Sequence, residues 1–229
     1  ARCLSYLGQC CHALEEKEQA SSHFEKALKR YQLIYRTKPH WALARAYDNV
    51  GDAYESLGEA NKGLGHKRKG LEMVEALYPG QNHPHVAHCL HSVGCAYEAL
   101  HEARRGIGYK ERAISMLRAL HPARDHTQLA LWLDSLGASY YAAGEKQKGL
   151  AHKRESLRML QALYGSESHP YVARALCAVG STCIEMRQTR EGLGFLQDSL
   201  ALLQRCHQGR PHRDLVTCYD SLAAGYESL

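Results

Sequence analysis

The chain repeats itself every 43 residues. The pairs Leu7-Gly8, Val50-Gly51, Val93-Gly94, Leu136-Gly137 and Val179-Gly180, followed by Leu222-Ala223, each lie one such step after the one before, without an insertion. Ala1, Ala44, Ala87, Ala130 and Ala173 keep the same register, as do Leu4, Tyr47, Leu90, Leu133, Leu176 and Tyr219. A fixed period of this size means that one supersecondary unit stacks on copies of itself, because no single unit can bury its apolar face alone. The 229 residues therefore divide into repeats 1–43, 44–86, 87–129, 130–172 and 173–215 with a partial repeat 216–229. The expectation is a single solenoid domain over residues 1–229, read as a fragment of a longer array.

Within each unit apolar residues recur every three or four positions, as in Ala44, Tyr47, Val50, Gly51 and Tyr54, which is the stripe of an amphipathic helix, here called helix A. A second helical pattern, helix B, runs through Leu64, Leu71, Val74 and Leu77. Gly58 and Gly144 between the two suit helix-ending positions, where a left-handed residue is needed. Connectors such as PGQNHP and GSESHP lead to the next helix A, whose first turn can hold Pro84 or Pro170 because no backbone N–H is required there. Glycine inside a helix costs about 1 kcal/mol relative to alanine. Its return at Gly8, Gly51, Gly94, Gly137 and Gly180, and again at Gly63, Gly106, Gly149 and Gly192 with Ala20 in the first repeat, predicts close approach of helices A and B.

These residues resemble the tetratricopeptide signature, which in the first repeat reads Leu4, Leu7-Gly8, Ala20, Phe24 and Ala27, with Cys11 where tyrosine is usual. The resemblance covers the whole chain. The 43-residue length, with the entries His83-Pro84-His85-Val86-Ala87 and His169-Pro170-Tyr171-Val172-Ala173, is similar to the kinesin light chain and nephrocystin type. The resemblance implies an all-α, right-handed superhelical solenoid of antiparallel helix pairs whose concave groove, lined by A helices, binds a peptide or partner domain without catalysis. Chaperone-tail binders of this fold hold a terminal carboxylate with lysines and asparagines; here Asn49 fits, but the lysine and second asparagine are missing.

Composition narrows the alternatives. No apolar run is long enough to cross a bilayer, and ARCLSYLGQC has no basic-then-apolar leader, so no membrane partner is expected. The nine cysteines lack the paired spacings of a secreted scaffold or zinc ribbon and read as reduced thiols, which suits a cytoplasmic setting. Gly63-Leu-Gly65-His-Lys-Arg-Lys-Gly70 imitates a phosphate loop, but its equivalents GIGYKERA, GLAHKRES and GLGFLQDS belong to helix B, so no nucleotide or other cofactor is expected. Lys67, Arg68, Lys69, Lys110, Arg112, Lys153 and Arg154 in those segments are expected on a solvated outer face. With a net charge of only +5 and no interleaved aromatics, a nucleic-acid solenoid is the weaker alternative.

His40, His83, His126, His169 and His212 recur one repeat apart, too far to share an ion, and are expected to cap each helix A. His88, His91 and Cys95, at i, i+3 and i+7, are a candidate metal cluster, with ligand contact the favoured reading. No Ser-His-Asp set, paired carboxylate or activated cysteine can be placed, so no catalytic residue is assigned.

If helix positions equivalent to 1, 4, 7, 8 and 11 pack inward, those equivalent to 2, 5, 9 and 12 line the groove. This row offers three arginines against seven acids, Asp48, Asp52, Glu55, Glu98, Asp134, Asp220 and Glu227. An acidic groove with the positive charge placed on helix B favours a basic or mixed-charge protein or peptide. The candidate partner-binding residues are Arg45, Asp48, Asn49, Asp52, His88, His91, Asp134, Tyr141, Arg174 and Ser181. A regulatory or sensor array attached to a nucleotide-driven switch is the alternative function.

Overall fold

The helices are placed by their ends as much as by their apolar stripes. In the computed structural model, which describes every residue except 37, 123–125, 166–168, 209, 211 and 229, the described residues form eleven α-helices. The A helices are α1 (Arg2–Ala13), α3 (Trp41–Ser56), α5 (Pro84–Ala99), α7 (Thr127–Ala142), α9 (Pro170–Glu185) and α11 (Arg213–Glu227). The B helices are α2 (Lys17–Tyr35), α4 (Ala60–Leu77), α6 (Ala103–Leu120), α8 (Lys146–Tyr164) and α10 (Thr189–His207). The expected all-α fold of successive helix pairs is therefore present. The glycine-rich segment at Gly63 lies inside α4 and is no loop. Ser166–Ser168 of the GSESHP connector lie outside the described residues.

Each A helix after the first begins on a histidine in extended conformation. The Nδ1 atoms of His40, His83, His126, His169 and His212 accept the backbone N–H two residues on, at 3.1–3.2 Å. This satisfies one of the N–H groups that a helix start leaves without a partner. Four of these rings also lie flat on the ring five residues earlier: Tyr35 on His40 at 3.9 Å, Tyr78 on His83 at 3.5 Å, Tyr164 on His169 at 3.6 Å and His207 on His212 at 3.8 Å. The histidine ladder is thus a set of caps locked by stacking. Pro84 and Pro170 stand at the first helical turn, as expected.

At the other end of α1, α3, α5, α7 and α9 the chain turns through a left-handed residue, which is Gly58 at φ +79° after α3 and Gly144 at φ +89° after α7. Glu15, His101 and Arg187 take the same conformation in their repeats without being glycine. In each case the next residue's N–H returns to the carbonyl five residues back, as Glu59 does to Tyr54 at 2.8 Å and Gln188 to Cys183 at 2.8 Å. This Schellman closure satisfies carbonyls that the helix leaves open.

The chain forms two compact units, Ala1–Pro122 with α1 to α6 and Ala123–Leu229 with α7 to α11. The first has a core of Phe24, Leu28, Tyr31, Leu43 and Val50, among others, and the second one of Ala173, Cys177, Leu193, Leu196, Leu203, Cys218 and Leu222. Ala44, Ala87, Ala130 and Ala173 are each 1% exposed or less, which places the alanine row inside as its period required.

The recurring glycines do bring helices A and B together. A Cβ on Gly137 would stand 2.7 Å from the carbonyl oxygen of Gly149, and one on Gly149 would stand 2.7 Å from that of Gly137. The gap beside the helix A glycine is also used by one helix B side chain. Gly8 faces Phe24, Gly51 faces Lys67, Gly94 faces Lys110, Gly137 faces Lys153 and Gly180 faces Leu196, all at one register position.

Candidate functional site

That register position overturns the expectation of a solvated basic face. Lys67 is 3% exposed and Lys110 fully buried, while Lys153 is half-buried. Their aliphatic stems pass the helix A glycines and their ammonium groups end among acids of helix A. Lys67 Nζ lies 2.7 Å from Asp52 and 2.9 Å from Glu55, Lys110 Nζ lies 2.5 Å from Glu98, and Lys153 Nζ lies 3.3 Å from Asp134. Burial lowers the proton affinity of Lys67, but the two carboxylates outweigh it and hold the ammonium above the range of a free lysine. Arg68, Lys69, Arg112 and Arg154 do stay exposed, as expected. The groove row of seven acids is therefore faced by three lysines as well as three arginines, and its expected acidity largely disappears.

In the first unit the predicted residues Asp48, Asp52 and His88 come together. Asp48 is 5% exposed and accepts hydrogen bonds from the Ser92 hydroxyl and, at 3.1 Å, from His88 Nε2. Both donors come from α5, so the carboxylate joins two consecutive A helices. This is a correction to Asp48 as an open partner contact, since its oxygens are already engaged. Burial pushes the Asp48 carboxyl up, but His88, Ser92 and the charge of Lys67 outweigh it and hold it below the usual carboxylate range. The bond to Asp48 in turn raises His88 against the effect of burial.

The stability from this pair has a defined pH window. It is lost as pH falls through the lowered Asp48 value, and lost again as pH rises through the raised His88 value. The His88 side chain is 56% exposed, so solvent screening limits the pair to about 0.5 kcal/mol. His88→Gln should therefore cost about 0.5 kcal/mol near pH 6 and nothing measurable near pH 9 in urea titrations. An equal cost at both values would mean that His88 contributes packing alone.

His91 is half-buried and pushed down to about 3, by burial first and then by the positive charge of Lys110, so it is neutral. Its Nδ1 lies 3.7 Å from Cys95 Sγ, while His88 turns to Asp48. The three do not converge as metal ligands. Among the described residues the donor set within 4.8 Å is His207, His212 and Asp214, where His212 already serves as the cap of α11. Arg45 is exposed with its guanidinium 5.2 Å above the Trp41 ring, and Asn49 is half-buried beside Asp48 in sequence.

In the second unit Asp134 and Arg174 line one cavity of about 160 Å³ with Leu131, Tyr171 and Ala178. Arg174 also lines a cavity of about 470 Å³ with Cys177, Ser181, Leu203, Arg213, Asp214 and Thr217. Ser181 Oγ lies 2.9 Å from the Cys177 carbonyl oxygen and 3.0 Å from Ser221 Oγ, and its one proton serves one of them at a time. Tyr141 is half-buried, has Lys146 Nζ 5.3 Å over its ring, and is raised to about 12 by burial and the Glu185 carboxylate. Sequence reasoning placed Lys67 and Lys110 on a solvated face and did not single out Ser92 or Arg213. A signal for the lysines was present, because the residues one repeat outside them are Phe24 and Leu196, which marks a buried row.

The chain matches no protein-family model and no curated protein sequence. Solved structures do match. A Podosopora anserina protein described as a kinesin light chain with nearly identical TPR-like repeats aligns at 16% identity and TM-score 0.73, over 90% of this chain and 95% of that one. The fold is tetratricopeptide-like. BtubC from P. vanneervenii shares this TPR-like fold at 18% identity and TM-score 0.74, over 94% of this chain and 84% of its own. A signal transduction ATPase with numerous domains and a tetratricopeptide repeat sensor, from Pyrococcus horikoshii, aligns at 14% identity and TM-score 0.74; the match covers 98% of this chain and 32% of that one. Among the described residues no helix is long and apolar enough to cross a membrane.

Proposed function

We propose that this chain is a non-catalytic protein-interaction scaffold that holds a peptide or partner domain against the exposed row of its A helices. The observation that carries this reading is the contrast along that row. Five of its seven acids, Asp48, Asp52, Glu55, Glu98 and Asp134, are tied to partners within the protein, while the exposed arginines Arg45 and Arg174, like the exposed acids Asp220 and Glu227, have no ion pair among the described residues. Arg174 stands beside two cavities, and its charge is available to a ligand. The ligand of this proposal is a mixed-charge peptide, with acidic groups opposite Arg174. Asn49, Asp52, His91, Tyr141 and Ser181 remain proposed contacts.

The unbroken 43-residue register supports treating the whole chain as one array, and nine cysteines without the paired spacings of a secreted scaffold support a reducing, cytoplasmic setting. A regulatory sensor array is a second reading, favoured by the likeness to the Pyrococcus horikoshii repeat sensor.

The test is site-specific photo-cross-linking with the probe placed in turn at Arg45 and Ala138 on the A helices and at Arg68 and Lys69 on helix B. Partner adducts are expected from the first pair and not from the second. Arg174→Glu should weaken binding of the captured partner about tenfold, about 1.4 kcal/mol, without moving the thermal midpoint. Adducts confined to the helix B positions would remove the reading.

A further inference from the structure

Register positions that bridge two A helices in the first unit leave a gap open in the second. Between α3 and α5 the Asp48 carboxylate takes hydrogen bonds from His88 and Ser92. Two repeats further on, the same positions hold Asp134 on α7 with Arg174 and Ala178 on α9. Ala178 has no hydroxyl to give, and Asp134 is drawn instead to Lys153 at 3.3 Å. Arg174 is exposed, with no ion pair or hydrogen bond among the described residues. The space left between α7, α8 and α9 is the cavity of about 160 Å³.

Its lining is that of a side-chain pocket. Leu160 and Ser156 from α8 lie deepest, 1% and 0% exposed, and the Ser156 hydroxyl is already given to the Ala130 carbonyl at 2.6 Å. Leu131 from α7 with Ala175 and Ala178 from α9 supply the remaining apolar surface. Leu131 occupies a groove position that otherwise holds Arg2, Arg45, His88, Arg174 and Thr217, so that position turns apolar only beside this cavity. A cavity of roughly 150 Å³ takes one benzene-sized group, whereas whole small-molecule ligands need roughly 300–1,000 Å³. The space suits one aliphatic side chain and is too small for an indole.

We propose that this slot is an anchor pocket for a partner peptide, taking one side chain of leucine size while Arg174 binds a carboxylate beside it on the same peptide. The assignment rests on the scaffold role proposed above and adds a partner class, a short motif in which an aliphatic residue stands next to an acid. Apolar burial supplies the attraction into the slot. Asp134 keeps Lys153 as its partner, so the mouth presents the uncompensated charge of Arg174 to the incoming acid.

Methyl NMR of the intact chain tests the slot, because the leucine methyl signals of Leu131 and Leu160 report its filling. The probe is a blocked pentapeptide, Gly-Asp-Leu-Asp-Gly, with controls that carry alanine or tryptophan for its leucine, or lysine for its aspartates. Both methyl signals are expected to move and to saturate with a dissociation constant of about 1 mM. Alanine should weaken binding about tenfold for lack of buried surface, and tryptophan about tenfold for lack of room. The lysine peptide should bind about fivefold more weakly. Ala178→Leu fills the slot while keeping Arg174, and should abolish the shifts. Arg174→His with Ala178→Ser reproduces the α3–α5 arrangement and should abolish them too, with thermal melting to show that each variant is folded. Unmoved Leu131 and Leu160 methyls at about 5 mM leucine peptide would overturn the proposal, as would equal affinity for the leucine and alanine peptides. A partner cross-linked at Arg45 or Ala138 whose affinity ignores Ala178→Leu would leave the scaffold role standing and remove the slot.

Discussion

Lys110→Ala is expected to lower the unfolding free energy by about 3 kcal/mol, as measured by urea titration. The side chain is fully buried, and its ammonium pairs with Glu98 at 2.5 Å. Truncation removes the stem that fills the space beside Gly94 and leaves Glu98, 28% exposed, without the nearest positive charge. Two costs therefore add, an unfilled cavity and the loss of the lysine charge beside a partly buried carboxylate. The double substitution Lys110→Met with Glu98→Gln restores volume and removes both charges, and should come within about 1 kcal/mol of the parent. A loss of about 3 kcal/mol in the double variant as well would mean that the ion pair itself, and not the filled space, provides the stability.

The second large effect is a difference of sign between two glycines of one helix. Gly106→Ala in α6 would place a Cβ 2.6 Å from the carbonyl oxygen of Gly94. That neighbour is backbone and cannot swing away, so the helices must separate, at about 1–3 kcal/mol. The gain in helix propensity, about 1 kcal/mol, offsets only part of this. Gly108→Ala, two residues on, meets nothing within 4 Å and should stabilise by about 0.5–1 kcal/mol. Thermal midpoints moving down for the first and up for the second would establish that the recurring glycine is kept for approach of the backbones. Equal shifts would contradict it.

Much of this fold was legible in the residues because it is periodic. A repeat multiplies weak local signals: one leucine-glycine pair means little, but the same pair at every step fixes where each helix must face its partner. The histidine caps were legible for the same reason, since residues one repeat apart cannot meet at one ion but can each begin a helix. The left-handed turns at Gly58 and Gly144 were readable from glycine itself. Those at Glu15, His101 and Arg187 were not, because nothing in a glutamate, histidine or arginine announces a positive φ.

The charge of the candidate site was decided elsewhere. Lysine is usually a surface residue, so Lys67, Lys110 and Lys153 were expected in solvent. A long side chain can nevertheless bury its stem and deliver its charge several ångströms from its own helix, and the glycine opposite leaves the room to do so. The groove balance thus depended on residues from a different helix, separated in sequence by 12 positions for Lys67 and Glu55 and by 19 for Lys153 and Asp134. The pairing of Asp48 with His88 and Ser92 spans 40 and 44 positions. The sequence by itself determined the helices, their register and the small residues at their contacts, all properties of one repeat. Which charges are neutralised and which arginines stay available depend on where side chains end in space, and that only the tertiary structure decided.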